Sequence, residues 1–290
     1  MKSTLKLCYP NIKNFGDELN GVLFKILFGV DFVKTDLAKN ADILAVGSSL
    51  NHFILSSNKK AALKQIFHFG SNLNFNQKIT VIGTGFMELP KTSKPYFFRK
   101  MDFRVVRGVM TKEYLMKANL ATNKCLVGDL GLLTSLMYNN NIVKKYQLGI
   151  IPHLDDFDSP FFFSIYKQFS PEAILINVKD SPEIVTAQIR SCHRIISSSL
   201  HGLIVADSYG IPNLWMENRF KRISKPNFKF HDYYSSILSS EMKPTPVSEI
   251  ETGFDLNRID KEYKIDQEIV QRLIGELYQN CLEFLPILSS

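Results

Sequence analysis

The sequence predicts an α/β protein built as two doubly wound, Rossmann-like domains that face each other across a cleft. Three observations carry that expectation. Short apolar segments alternate with helical patterns along nearly the whole chain, the pattern of βαβ units around parallel sheets. Most of these segments end in Gly, Ser, Asn or Asp before a helix begins, so polar groups collect at strand-to-helix turns. The polar run Tyr138-Asn139-Asn140-Asn141 interrupts the alternation near the middle. It divides the chain into an N-terminal domain over residues 1–141 and a C-terminal domain over residues 142–290, whose last helix packs back on the first domain.

Taken in order, strands are expected at Leu5–Tyr9, Ile43–Val46, Ile79–Ile82, Phe103–Val106, Cys125–Val127, Leu148–Ile151, Ala173–Val178, Arg194–Ile196 and Asn213–Met216. Helices are expected at Asp17–Phe28, Lys60–Phe69, Thr111–Ala118, Ile184–Ser191, Leu200–Tyr209 and Asp266–Phe284. Right-handed crossovers then give a doubly wound arrangement in each half. Met242–Lys264, rich in Pro, Glu, Thr and Asp, reads as an extended crossing segment.

At 290 residues, 45% hydrophobic and 22% charged, the chain has the composition of a globular protein with room for sizeable cores. No apolar run approaches the roughly 20 residues of a membrane helix. The opening MKSTLKLCYP has neither the apolar core nor the cleavage site of a signal peptide, and a cytoplasmic location is expected. Cys8, Cys125, Cys192 and Cys281 form no CxxC pair and read as buried free thiols. A net charge of +7 suits an anionic ligand or surface. Much of it lies in Arg219–Lys229, which is either a solvated basic loop or a surface for anionic headgroups. Without a helix-turn-helix, zinc-finger or RNP signature, nucleic acid is not an expected partner.

The most informative stretch is Ile195–Trp215, IISSSLHGLIVADSYGIPNLW. It reads strand, polar turn, helix, strand. In an open parallel sheet that turn lies at the carboxyl edge, where backbone amides and a helix start hold anions. A single serine would be a helix cap; Ser197, Ser198 and Ser199 followed by His201 point to a site. After the first strand, Asn14, Gly16, Asp17 and Asn20 occupy the same edge, with Asp17 placed as an N-cap. Gly47-Ser48-Ser49 and Gly83-Thr84-Gly85 extend this polar rim. Arg107 ends the strand of FRVVRG, where its guanidinium fork suits a phosphate or carboxylate; Arg104, three residues earlier, points to the other face. Thr111-Lys112-Glu113 reads as a capped helix start, and Asp129 as a cap for the helix after Val127-Gly128. In the second half, His153 with Asp155 and Asp156 ends a strand, and suits hydroxyl binding or base work. His52, His68, His193 and His231 have no such context and read as structural. There is no GxGxxG, GxSxG or Walker loop, which leaves dinucleotide binding, serine hydrolysis and P-loop chemistry unsupported.

Together NFGDELN, VRG–TKEYL with VGD, IPHLDD, SSSLHGLIVADSYGIPNLW and FKFHDYYSSI resemble, in order, the polysaccharide pyruvyl transferases, over roughly Leu5 to Tyr234. The likeness is to the exopolysaccharide ketal-forming branch. Many members carry Arg-Leu-His where this chain has Ser199-Leu200-His201, so one expected cation is missing. The resemblance implies a GT-B-like fold, phosphoenolpyruvate as donor and a lipid-linked glycan as acceptor. It implies no metal or nucleotide cofactor, and a peripheral contact with the anionic inner membrane face. His201 would be the general acid, and Asp17 or Asp155 would orient or deprotonate the acceptor. Arg107, Ser198, Ser199, Gly16 and Asn14 would hold the donor; His153, Asn20 and Gly85 would face the acceptor. Two other readings stay open: a GT-B glycosyltransferase using a nucleotide sugar, and a non-catalytic glycan- or anion-binding protein of envelope assembly.

Overall fold

The computed structural model describes residues 4–36, 41–55, 60, 62–65, 78–97, 99–217, 227–238, 240–251 and 254–289. Two parallel sheets organise them. The first contains β1 (Leu5–Cys8), β2 (Phe32–Thr35), β3 (Ile43–Leu44), β4 (Ile79–Ile82), β5 (Met101–Val106) and β6 (Leu126–Val127), in the order β2-β1-β3-β4-β5-β6. The second contains β7 (Tyr146–Ile151), β8 (Ala173–Leu175), β9 (Cys192–Ser197) and β10 (Asn213–Trp215), in the order β10-β9-β7-β8. All pairings within both sheets are parallel. A mixed α/β protein with parallel sheets is therefore what the sequence encodes.

All nine expected strands are present, with shifted ends. β2 is an addition: FVKT is short, lies at the sheet edge and is at most half-buried, so no buried apolar run announces it. Helix α1 (Phe15–Val22) continues through a π turn, Leu23–Leu27. It starts earlier than expected, because the Phe15 amide donates to the Val178 carbonyl at 2.8 Å and Asn14, in extended backbone, takes the cap position. Asp17 is therefore inside the first turn and is not the cap. Helix α2 (Val109–Lys117) likewise begins after Gly108, leaving Thr111 buried within it. Asp129 does cap, accepting from the Gly131 amide at 2.8 Å ahead of the 3-10 turn Leu130–Leu133.

Helices α3 (Pro160–Phe169), α4 (Pro182–Arg190) and α5 (Leu200–Ser208) follow, then α6 (Phe228–Tyr234) and α7 (Gln267–Ser289). α3 and α6 were not expected from the sequence. Most of the expected helix Lys60–Phe69 lies outside the described residues. The segment expected to be extended over Met242–Lys264 instead holds two short helices, Val247–Glu251 and Asn257–Glu262, which bury Ile250 and Ile259 against the second sheet. Local apolar spacing here outweighed the helix-breaking composition.

One apolar core joins β1, α1 and β3 to Ile151, Ile195, α5 and α7. α7 packs Leu273 and Leu277 around Gly128, and Tyr278 stacks on Phe28 at 6.1 Å. Burial of this kind contributes roughly 25 cal/mol per Å² of apolar surface. The four cysteines are buried and free. Among the described residues, no helix is long and apolar enough to cross a membrane.

Candidate active site

The strand orders fix where a ligand can enter. In the first sheet the connections leave β1 toward β2 on one side and β3 on the other. In the second they leave β7 toward β8 and β9. Loops diverge above each such switch point and open a crevice at the carboxyl edge. Both crevices contribute to one cavity of about 590 Å³. From the first sheet come the loop after β1, Asp36 after β2, and Gly47, Ser48, Ser49 and His52 after β3. From the second come His153, Leu154 and Asp155 after β7, and Ser199, Leu200 and His201 after β9. Lys229 enters from α6.

His201 is the second residue of α5. Phe15 meets its ring edge-on at 6.4 Å, and Gly16 lies against Nδ1 with no room for a Cβ. Its Nε2 is buried and makes no hydrogen bond. Leaving such a group unpaired costs about 1–3 kcal/mol, and the residue that carries it lines the cavity. Burial pushes the imidazole down to about 3, and Lys229, Arg107 and His153 add to the effect. At neutral pH it is therefore uncharged. Asp129 stands close by: Gly131 separates its Oδ1 from the His201 ring, and its other oxygen is buried without a partner. Burial raises that carboxyl to about 6.

Of the expected site residues, Asn14, Asp17, His153, Asp155, Ser199 and His201 line the cavity. Asn14 donates to the Asp17 carboxylate at 2.8 Å. Burial raises the Asp17 carboxyl, while Asn14 and Lys229 oppose that rise. His153 Nδ1 stands 3.7 Å from the Asp155 carboxylate, and burial lowers its imidazole to about 4.

The other five stand behind the wall. Arg107 is fully buried. Its guanidinium donates to Asp232 at 3.0 Å, Ser48 Oγ at 2.6 Å, and the carbonyls of Gly47 and Phe86 at 3.3 and 2.5 Å. Direct contact with a donor, expected from its place at the strand end, is thus taken up by protein groups. Ser198 accepts from the His153 amide at 2.8 Å and donates toward Asp156, so it shapes the His153 turn instead of facing the cavity. Asn20, expected at the acceptor, bridges α1 to Val46 with two hydrogen bonds, of 2.8 and 3.1 Å, and donates a third to the Asp17 carbonyl of its own helix at 2.9 Å. Gly85 gives room to Arg107 and Asp232, and Gly16 gives room to His201. Ser199 occupies the cap position of α5 without a side-chain cap bond, and it lines the cavity. Gly47, at φ +117°, turns the loop after β3 in backbone that only glycine adopts freely.

Three residues were missed. His52, read as structural, lines the cavity. Asp232 is the buried partner of Arg107 and also accepts from the Thr111 amide and hydroxyl, both at 2.8 Å. Lys229 was read as part of a basic loop, yet it lines the cavity, and burial with Arg107 lowers its ammonium to about 8 against the opposing pull of Asp17 and Asp155. The available signal was the aromatic-rich FKFHDYY: an aspartate among so many apolar neighbours needs a buried cation. Of the expected membrane-facing stretch, 219–226 lies outside the described residues, and Phe228 packs on the core of the first sheet.

Loops of two parallel sheets converge on one cavity with three imidazoles, three carboxylates and an ammonium, and so define a small-molecule site in an α/β protein. A family model, polysaccharide pyruvyl transferase, matches residues 4–219, and the chain belongs to that family. It is 25% identical over 240 residues to the succinoglycan biosynthesis protein ExoV of Rhizobium meliloti, covering 81% of this chain and 65% of that protein. It is 28% identical over 163 residues to the uncharacterized protein L143 of Acanthamoeba polyphaga mimivirus, covering 55% of each. The chain thus spans between half and two thirds of the length of these curated relatives. A crystal structure of an uncharacterized Klebsiella pneumoniae protein, KP1_0663, aligns over 84% of this chain and 92% of that one, at 12% identity and a TM-score of 0.45.

Proposed function

We propose that this chain transfers the pyruvyl group of phosphoenolpyruvate to two hydroxyls of one sugar, forming a ketal on a surface polysaccharide or its lipid-linked repeat unit. The two sheets then act as GT-B-like lobes, residues 1–141 and 142–290, that close on the donor. Family membership supports the pyruvyl chemistry. The observation that carries the mechanism is the placing of His201 in one cavity wall with Asp17, Asp155 and Lys229.

The reaction divides among the residues as follows. His201, once protonated, gives its proton to the methylene carbon of the enol, leaving a cationic centre at the adjacent carbon. A sugar hydroxyl bonds there and loses its proton to Asp17 or Asp155. The carbon–oxygen bond to phosphate breaks, phosphate leaves, and the second hydroxyl closes the ketal. The two hydroxyl protons end on the new methyl group and on phosphate, which returns the protein groups to their starting state. Ser199 donates to the donor's anionic oxygens, and the Arg107 charge acts on them from behind Ser48. His153 orients an acceptor hydroxyl. No step draws on a metal or a nucleotide.

Incubation with phosphoenolpyruvate and lipid-linked glycans, followed by mass spectrometry, tests the reading. A glycan heavier by one pyruvate less water, with one phosphate released, is the expected result. Thermal stabilisation by a nucleotide sugar but not by phosphoenolpyruvate would replace this reading with a glycosyltransferase.

A further inference from the structure

The cavity carries carboxylates at Asp17, Asp36 and Asp155, yet among the described residues that line it Lys229 is the one lysine or arginine. Its ammonium makes no hydrogen bond or ion pair with any described residue; it passes the Phe230 ring at 5.4 Å. Its place is nevertheless fixed. One helical turn further on, Asp232 is held by Arg107 and by both donors of Thr111. Gly108 lets the backbone of α6 approach so closely that no Cβ would fit against the Asp232 carbonyl. Trp215 stacks on Phe230 at 4.5 Å, and Ser235 accepts from the Val109 amide at 2.9 Å. A helix of two turns pinned this firmly fixes the backbone from which Lys229 reaches the cavity. A long side chain with about 2 kcal/mol of rotamer freedom is not held at a cavity wall without a partner for nothing.

We propose that Lys229 is the anion receptor of this site, taking the phosphate or carboxylate oxygens of the donor in the cavity that Ser199 leaves without a cation. Asp232 is its positioning residue, acting through α6. This rests on the phosphoenolpyruvate reading and adds the residue that binds it. Arg107 (β5 end), Asp17 (α1), Asp155 and His153 (after β7) and His201 (α5) are the charged and titratable groups around the ammonium. Burial and Arg107 lower its affinity for protons, so donor affinity falls as pH rises through about 8.

Titration calorimetry of the full chain with phosphoenolpyruvate, and separately with inorganic phosphate, between pH 6.5 and 9.5 tests this. Wild type is expected to lose affinity for both across about pH 8. Lys229→Met is expected to bind both roughly 10- to 100-fold more weakly, and both it and Lys229→Arg are expected to lack the added loss centred at about pH 8, keeping only the slope that proton uptake at His201 gives to all three proteins. Binding by Lys229→Met within twofold of wild type, or a wild-type affinity flat with pH, overturns the inference. The wild-type pH series needs no variant to fold. Phosphate binding that depends on Lys229, without phosphoenolpyruvate binding, would reject the donor while keeping the anion receptor.

Discussion

Gly16, in the first turn of α1, and His201, in the first turn of α5, are packed so closely that the imidazole occupies the space a Cβ of residue 16 would need. The two residues come from loops of different sheets. The contact therefore sets the distance between the carboxyl edges of β1 and β9 in the region of the cavity. Gly131 stands further off: a Cβ there would meet Ile204 and Asp129 first and lie 3.7 Å from the ring, an ordinary contact. Gly16 and Phe15 thus hold the imidazole, and no hydrogen bond to a described residue does so at Nε2.

Gly16→Ala tests that packing. Alanine favours the helix by up to about 1 kcal/mol, so the fold should tolerate it. The ring, however, has to tilt away, and misplacing a reacting group by about an ångström costs on the order of 100-fold in rate. A melting temperature within a few degrees of wild type is expected, with turnover reduced far more than donor affinity. Unchanged turnover would show that the imidazole need not sit where Gly16 lets it.

The neutral imidazole leads to a prediction about protons. Its folded-state value lies below that of a free histidine, so at pH 7 the imidazole is uncharged and carries a single ring proton before the donor arrives. A phosphate dianion arriving beside Lys229 and Arg107 offsets the charges that oppose protonation. Donor binding should therefore take up a proton, and the acid needed for the first step arrives with the substrate. Binding heats measured at pH 7 in buffers of different ionisation enthalpy should differ accordingly. In His201→Gln they should coincide, with transfer reduced by roughly 100- to 10,000-fold. Equal heats in wild type would assign the acid to another group.

The legible part of this molecule is the sheet edge. Strands ending in Gly, Ser or Asp announced the loops after β1, β3, β7 and β9, and six of the residues chosen from them line one cavity. Alternation and turn chemistry are local, so they survive in the sequence. What failed depends on distant partners. Whether Arg107 faces a ligand or the protein is decided by Asp232, 125 residues away. Lys229 belongs to the cavity only because α6 docks on α2, a contact that no local spacing records. β2 was hidden for another reason: an edge strand with Val33 half-exposed carries little apolar signal.

The Arg107–Asp232 pair gives a stability prediction that separates scaffold from ligand contact. Both side chains are fully buried, and removing one partner leaves the other as an unpaired buried charge. Arg107→Met should lower stability by about 3–5 kcal/mol. The double variant Arg107→Met with Asp232→Asn removes both charges and should recover part of that loss, because the amide still meets Thr111. Urea unfolding of the four proteins of the cycle measures the coupling. Additive losses would mean that the pair does not act as a unit.

Asp207 supplies the last prediction, remote from the cavity. Its carboxylate accepts from Asn213 at 2.6 Å, Tyr233 at 2.8 Å and Tyr263 at 3.1 Å, tying α5 to β10, to α6 and to the end of the short helix Asn257–Glu262. Burial still raises it to about 7, against the three hydrogen bonds. The sign follows from linkage: between about pH 4 and pH 7 the unfolded chain ionises this group while the folded chain keeps it protonated. Its contribution to stability is fully present at about pH 4 and lost as pH rises to about 7, by up to about 4 kcal/mol. His201 and His153 act in the opposite direction, since their lowered values remove stability as pH falls below the free-histidine range. The wild-type curve alone therefore mixes the two. The difference between wild type and Asp207→Asn isolates Asp207, because both carry the same histidines. That difference should move against wild type as pH rises from about 4 to about 7; if it stays flat, Asp207 is ionised throughout and the three donors outweigh its burial.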